Sequence, residues 1–204
     1  MAAGYALPMA DVSLSFAGAA FRPLACGALW WPAEQTLLLA DLHLEKGSHH
    51  ARRGWMLPPH DSLDTLLRLA AALRRTGARR LICLGDSFHD RGGPGRMTPA
   101  ARDLLAAMIA ATEWMWITGN HDADSGQEIG GRAEVEWRIA GIDLRHEALR
   151  GATSPEISGH FHPKVALPLR TGRRASRRCI AITPNRMVLP AYGSFAGGMA
   201  FDDP

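Results

Sequence analysis

Short apolar runs alternate with polar segments along the first two thirds of the chain. VSLSF, GALWW and TLLLA, between residues 11 and 40, are separated by Gly, Pro and polar residues and predict three strands. TLLLA is apolar at nearly every position, as in a strand covered on both faces. The polar stretch DLHLEKGSHHARRGWMLPPH that follows has neither a helical nor a strand period. From Asp61 the period becomes helical. Leu63, Leu66, Leu67, Ala70 and Leu73 recur on one face, Asp61 and Asp64 make a start resembling a capping box, and Gly77 marks the stop. RLICLG is again apolar and carries the polar tail GDSFHDRGGPG. Thr98 and Pro99 then open a second helix, ARDLLAAMIAAT, which leads into the strand EWMWIT and its tail GNHD.

This repetition of strand, polar tail and helix predicts a mainly parallel sheet with covering helices, and ligands at the carboxyl ends of its strands. The second half has a different pattern. VEWRIA, IDLRHE, EISGH, KVALPL, RCIAIT and RMVLPA predict short strands joined by turns, with no helix between them. They imply a second, largely antiparallel sheet stacked on the first, hence an α/β chain. No linker, internal repeat or low-complexity segment divides it, so residues 1–204 are expected to form one domain.

Composition removes several classes of protein. With 47% hydrophobic and 21% charged residues, and glycine and proline spread rather than massed, the chain is neither disordered nor collagenous. No apolar run approaches the roughly 20 residues needed to span a bilayer. The first residues lack the basic start and apolar core of a signal peptide, so a cytoplasmic location is expected. Three separated cysteines, Cys26, Cys83 and Cys179, form neither a disulfide framework nor a zinc ribbon. The net charge is only +3, and lysine occurs only at Lys46 and Lys164, so the placement of the arginines says more than their number.

The polar tails hold the candidate chemistry. Asp41 and His43 close the TLLLA strand, and side chains at i and i+2 of a strand point to one side and can share an ion. His160 and His162 repeat that spacing. Asp86 follows one buried strand, Asn120 and His121 follow another, and His146 ends IDLRH. Two carboxylates, one amide oxygen and several imidazoles suit Mn, Fe or Zn better than Ca or a thiolate site, and they are too many for one ion. Two divalent ions among them would leave a net positive centre that attracts phosphate.

The order D-x-H, GD, GNHD, H, GHxH is the signature of the calcineurin-like metallophosphoesterase superfamily, which this sequence resembles from about residue 36 to 162. Within it, ADLHLEKGSHHARRG, LGDSFHD, ITGNHD, SGHFHP and VLPAYGSFAGG look like the bacterial DNA-ligase-associated metallophosphoesterases, and the resemblance then spans nearly the whole chain. It implies a four-layer α/β/β/α sandwich with two stacked mixed sheets. It also implies a manganese-dependent endonuclease acting on single-stranded DNA in repair, associated with a DNA ligase, a helicase and an exonuclease. Carried over by motif, Asp41, His43, Asp86 and His162 would hold one ion, and Asp86, Asn120, His146 and His160 the other, with Asp86 bridging. His89 falls where related double-strand-break repair nucleases, with GDxFH, place a histidine near the DNA phosphate. His121 would stabilise the phosphorane or protonate the leaving oxygen, with Asp122 either orienting it or serving as a turn residue.

Arginines outside these motifs offer contacts to a DNA backbone. Arg52 and Arg53 follow the first metal motif, with His49, His50 and Trp55 nearby, and Trp55 could stack on an unpaired base or simply pack on its loop. Arg170, Arg173, Arg174, Arg177 and Arg178 crowd a turn after GHFHP, either as a DNA contact or as a solvated hairpin. Arg68, Arg74, Arg75, Arg79 and Arg80 along the first helix suggest a solvated outer face. Two other functions fit the same ligands: a phosphomonoesterase or nucleotide phosphodiesterase, and a catalytically silent binding module. A filled set of ligand positions argues against the second.

Overall fold

The structure is a computed structural model, in which residues 12–55, 57, 60–120 and 129–197 are described. Four strands, not three, precede the first polar stretch: β1 (Leu14–Phe16), β2 (Ala19–Pro23), β3 (Leu29–Trp31) and β4 (Thr36–Ala40). The polar stretch itself holds a short helix, α1 (Lys46–Ala51). Then come α2 (Asp61–Thr76), β5 (Arg80–Leu84), α3 (Gly93–Arg96), α4 (Pro99–Ala111), β6 (Glu113–Ile117) and β7 (Arg132–Glu134). The remaining strands are β8 (Glu136–Ile139), β9 (Ile142–Arg145), β10 (Glu156–Ser158), β11 (Lys164–Pro168), β12 (Arg174–Arg178), β13 (Ala181–Thr183) and β14 (Arg186–Val188).

The larger sheet runs β1 to β7 in sequence order. β1 to β4 pair antiparallel and β4 to β7 parallel, with α2 in the crossover from β4 to β5 and α4 in that from β5 to β6. The smaller sheet has the order β13-β14-β10-β9-β8. It is mixed rather than largely antiparallel, because β10 pairs parallel with both β9 and β14. β11 and β12 form a separate antiparallel hairpin.

Strand alternation builds two apolar layers from one sheet. Leu37, Leu39, Leu81, Cys83, Trp114 and Trp116 pack against Leu66 and Leu69 of α2 and Leu105 and Met108 of α4. Their neighbours Leu38, Ala40, Ile82, Leu84, Met115 and Ile117 face Ile142, Leu144, Ile157 and Met187 of the smaller sheet. The strands β4 and β5 are therefore buried on both faces, as their continuous apolar runs require. No described helix is long and apolar enough to cross a membrane.

Helix α2 is rotated from its expected stripe: Ser62, Thr65, Leu66, Leu69, Ala70 and Ala72 are buried, while Leu67 is exposed. Ser62 and Thr65 are drawn inward by hydrogen bonds to Glu45 and Ser194. Asp61 makes no capping box. It stands at the first helical position, and its carboxylate accepts from the Gly47 N–H at 2.8 Å. Gly77 does terminate the helix in a left-handed conformation, its N–H bonded to Leu73 O. Thr98 caps α4 through its side chain, as expected.

Candidate metal centre

The parallel strands β4 and β5 end side by side, and the loops beyond them are joined by backbone hydrogen bonds. Asp41 N–H donates to Gly85 O, His43 N–H to Asp86 O, Leu44 N–H to Ser87 O, and His89 N–H back to Leu44 O. Asp41 and His43 are thus past the strand, which ends at Ala40, and their shared direction does not come from strand alternation. Both have left-handed backbones, φ +52° and +44°, as do Asp86 (+44°), His160 (+68°) and His162 (+46°). Such conformations are rare for side chains other than glycine and concentrate at functional sites.

These loops bring the candidate ligands into two groups. Asp41, His43 and His162 form one, and Asp86, His146 and His160 the other; within each group the ligand atoms lie within 4.8 Å of one another. In the first group His43 Nε2 is 3.3 Å from His162 Nε2, which is 3.5 Å from Asp41 Oδ1. In the second, His146 Nε2 is 3.1 Å from His160 Nδ1 and 3.6 Å from Asp86 Oδ1. The groups adjoin, since Asp41 Oδ1 is 3.8 Å from His146 Nδ1 and the His160 N–H donates to Asp41 Oδ2.

The donors fit cations. Asp41 is fully buried, and its Oδ1 has no hydrogen-bond donor among the described residues, only ring nitrogens beyond hydrogen-bond geometry. Leaving a buried carboxylate oxygen unsatisfied is costly unless a positive charge faces it. His146 Nδ1 lies 3.1 Å from Leu84 O, and a carbonyl can only accept, so Nδ1 carries the hydrogen. Its Nε2 is left with a lone pair toward Asp86 and His160. A ring N–H fixed by a backbone carbonyl is the usual support of a metal-bound imidazole.

Three glycines make this crowding feasible. A Cβ on Gly85 would lie 2.1 Å from His146 Nδ1, one on Gly119 2.2 Å from Asp86 N, and one on Gly159 2.5 Å from Asp41 Oδ2. The Gly in each of GD, GN and GH is therefore required by close approach to a candidate ligand residue on another loop, a signal present in the motifs themselves. Asn120 is exposed and lines a cleft of about 340 Å³ together with His146. His121 and Asp122 lie outside the described residues.

His89 packs edge-on against His43, ring centroids 5.8 Å apart, and against His49 at 4.6 Å, and lies tilted against His50 at 5.5 Å. The sequence reading missed how this histidine cluster is anchored. His49 Nδ1 bonds the Asp90 carboxylate, which accepts two further bonds of 2.8 Å from Arg96 and one from the Gly92 N–H. Burial alone would raise the Asp90 pKa. The bonds from Arg96 and His49, the Arg96 charge and the Gly92 N–H outweigh it and hold the carboxyl well below the usual carboxylate range. His49, Asp90 and Arg96 line a cleft of about 380 Å³ with Arg52 and Arg53. Trp55 is 71% exposed and stacks on His50.

In the Arg-rich segment, Arg170, Arg173, Arg174 and Arg177 are exposed on the β11–β12 hairpin. Arg178 is not: its guanidinium donates to the backbone carbonyls of Tyr192 and Gly193. Arg68 likewise departs from the expected solvated face and reaches Tyr192 O and Ser194 Oγ.

The description calcineurin-like phosphoesterase belongs to a family that matches this chain over residues 35–163. Among solved structures, the Pseudomonas putida nuclease MPE has a TM-score of 0.79 and 29% sequence identity, with 93% of this chain and 90% of that chain covered. No curated protein matches.

Proposed function

The chain belongs to the calcineurin-like phosphoesterase family of metal-dependent hydrolases, and on that premise we propose that it is a binuclear phosphodiesterase that cuts single-stranded DNA internally, with manganese as its metal. The observation that carries this reading is the pair of adjoining acid–histidine groups at the sheet ends. Likeness over nearly the full chain to a protein described as a nuclease supports a nucleic-acid substrate. The motif resemblance supports the single-stranded form and a repair role beside a ligase, a helicase and an exonuclease.

Asp41, His43 and His162 would hold one cation, and Asp86, His146 and His160 the second; the motif resemblance would add Asn120 to the second and give Asp86 a share in both. Imidazole with carboxylate and amide oxygen favours Mn, with Fe and Zn as substitutes. Two such ions, when bound, would supply an activated water and positive charge for the phosphodiester oxygens. The protein's own part is to orient. Leu84 O fixes the His146 tautomer. His89 packs beside His43, and by the motif resemblance it would contact the DNA phosphate. By the motif resemblance His121 would stabilise the phosphorane or protonate the leaving oxygen, with Asp122 either orienting it or serving as a turn residue. Arg52 and Arg53 line the cleft beside His49 and Asp90, and Trp55 offers a ring to an unpaired base.

The test is metal-stripped protein incubated with labelled circular single-stranded DNA, with Mn²⁺, Mg²⁺ or chelator, beside an aryl phosphate monoester and cyclic nucleotides. Internal cleavage should be fastest with Mn²⁺ and absent with chelator, and Asp86→Ala should abolish it. Undiminished cutting after exhaustive chelation would refute the metal mechanism. Turnover of the monoester with intact DNA would assign a small-molecule phosphatase instead.

A further inference from the structure

The motif VLPAYGSFAGG has no part in the chemistry above, yet it runs beside the Asp41 loop. Ala191 pairs with Ala40 in a parallel bridge. The Tyr192 N–H donates to Ala40 O at 2.8 Å and the Gly193 N–H to Asp41 O at 3.1 Å. At Gly193 there is no room for a side chain, since a Cβ would lie 2.2 Å from Leu42 O. This strap is thus joined backbone to backbone to the residues that carry the first metal group.

Two arginines hold the strap in turn. Arg178 donates from Nη1 to Tyr192 O at 3.2 Å and from Nη2 to Gly193 O at 2.5 Å. Arg68 donates from Nη2 to Tyr192 O at 3.2 Å and to Ser194 Oγ at 3.0 Å. Ser194 is tied to α2 as well, through Thr65 Oγ1 at 2.9 Å and Asp64 Oδ2 at 2.8 Å. Burial and the nearby Arg68 charge both lower the Arg178 pKa. Two guanidiniums packed together in a half-buried place, on carbonyls of successive residues, form a fork that fixes backbone position.

We propose that Arg178 is a positioning residue for the metal centre: with Arg68 it clamps the Tyr192–Gly193 strap, and the strap holds the left-handed Asp41–His43 loop in ligating geometry. The proposal rests on Asp41 and His43 being metal ligands. It separates Arg178 from the other cations of its turn, whose guanidiniums are exposed. A lysine separates the two roles. It keeps the charge a DNA phosphate needs, but one ammonium cannot reproduce the planar fork on two successive carbonyls.

The experiment titrates Mn²⁺ into metal-stripped wild type, Arg178→Lys, Arg178→Gln and Gly193→Ala, reading free Mn²⁺ by electron paramagnetic resonance. Thermal melting and the salt dependence of single-stranded DNA binding are measured alongside. We expect wild type to bind two ions. All three variants should weaken one of them, by about tenfold, as loss of an outer partner of a metal ligand does. Ester hydrolysis in the variants should recover as Mn²⁺ is raised, and the DNA salt slope of Arg178→Lys should match wild type. Gly193→Ala strains the same strap without touching Arg178, so the test stands if Arg178→Gln fails to fold. Wild-type Mn²⁺ affinity in the folded variants, even with lowered melting temperature, overturns the proposal. So does full rescue by lysine of a metal-affinity loss seen with glutamine. A wild type that binds no Mn²⁺ would instead sink the metal-centre reading, and this one with it.

Discussion

Holding an L-residue in the left-handed region costs roughly 1–2 kcal/mol, and Asp41, His43, Asp86, His160 and His162 all stand there. These are five of the ten described non-glycine residues with positive φ, and backbone bonds between the 41–44 and 85–89 loops hold Asp41, His43 and Asp86 in place. Strain of this kind is stored where geometry matters and offset by its surroundings. Asp90 lies beside the 85–89 loop, and its bonds from Arg96, His49 and the Gly92 N–H favour its charged form. Because its native pKa is depressed, its contribution to stability is fully present above the ordinary carboxylate value near ~4 and is lost as pH falls below that toward the native value. Asp90→Asn removes charge-assisted bonds to Arg96 and His49, and should cost about 1–3 kcal/mol at neutral pH. Urea unfolding of both proteins, stepped from pH 7 to 3, should show a constant gap down to about pH 5 that narrows below about pH 4. A gap already closed above pH 5 would contradict it.

Elements were legible where packing alone shapes them. The apolar runs of β4, β5 and β6, the Thr98–Pro99 start of α4 and the Gly77 stop of α2 all stand as the periodicity predicts. Illegible elements are those fixed by polar partners. The stripe of α2 is turned because Ser62 and Thr65 are recruited by Glu45 and Ser194, and α1 has no apolar face to announce it, its one buried residue being Gly47. Strand alternation accounted for Asp41 and His43 facing together, but left-handed loop residues do so in fact. β12 is so rich in arginine that it resembles a turn, yet it pairs with β11 in full register, Val165 opposite Arg177 and Pro168 opposite Arg174. An extended ribbon with exposed guanidiniums can follow a nucleic-acid backbone. Each phosphate it neutralises steepens the salt dependence by roughly 0.7 for a single strand. Replacing Arg173, Arg174 and Arg177 by Gln should weaken single-stranded DNA binding and flatten the slope of log affinity against log salt by up to about 2. An unchanged slope in a filter-binding series would mark the hairpin as solvated only.

At the scale of the molecule, each candidate ligand group draws on both sheets. Asp41 and His43 follow β4 of the larger sheet, whereas His162 follows β10 of the smaller; Asp86 follows β5, whereas His146 and His160 follow β9 and β10. Between the sheets lies an apolar layer, but at its end the contacts are carboxylates and imidazoles that attract a cation more strongly than one another. Cations there would tie the sheets together at the edge where the apolar layer gives out, so metal binding and folding should be coupled. A ligand that binds only the folded state at 100 times its dissociation constant adds about 2.7 kcal/mol. For a chain of this size that is roughly 5–10 °C in melting temperature per site. Calorimetry of the metal-stripped protein should therefore give a lower melting temperature than the same protein with saturating Mn²⁺. Asp41→Asn, which weakens the first group, should forfeit part of the rise, and Asp86→Ala more of it if that carboxylate serves both ions. A melting temperature indifferent to Mn²⁺ would mean that the two groups hold no ion in the folded protein, whereas equal rises in wild type and both variants would place the ions elsewhere.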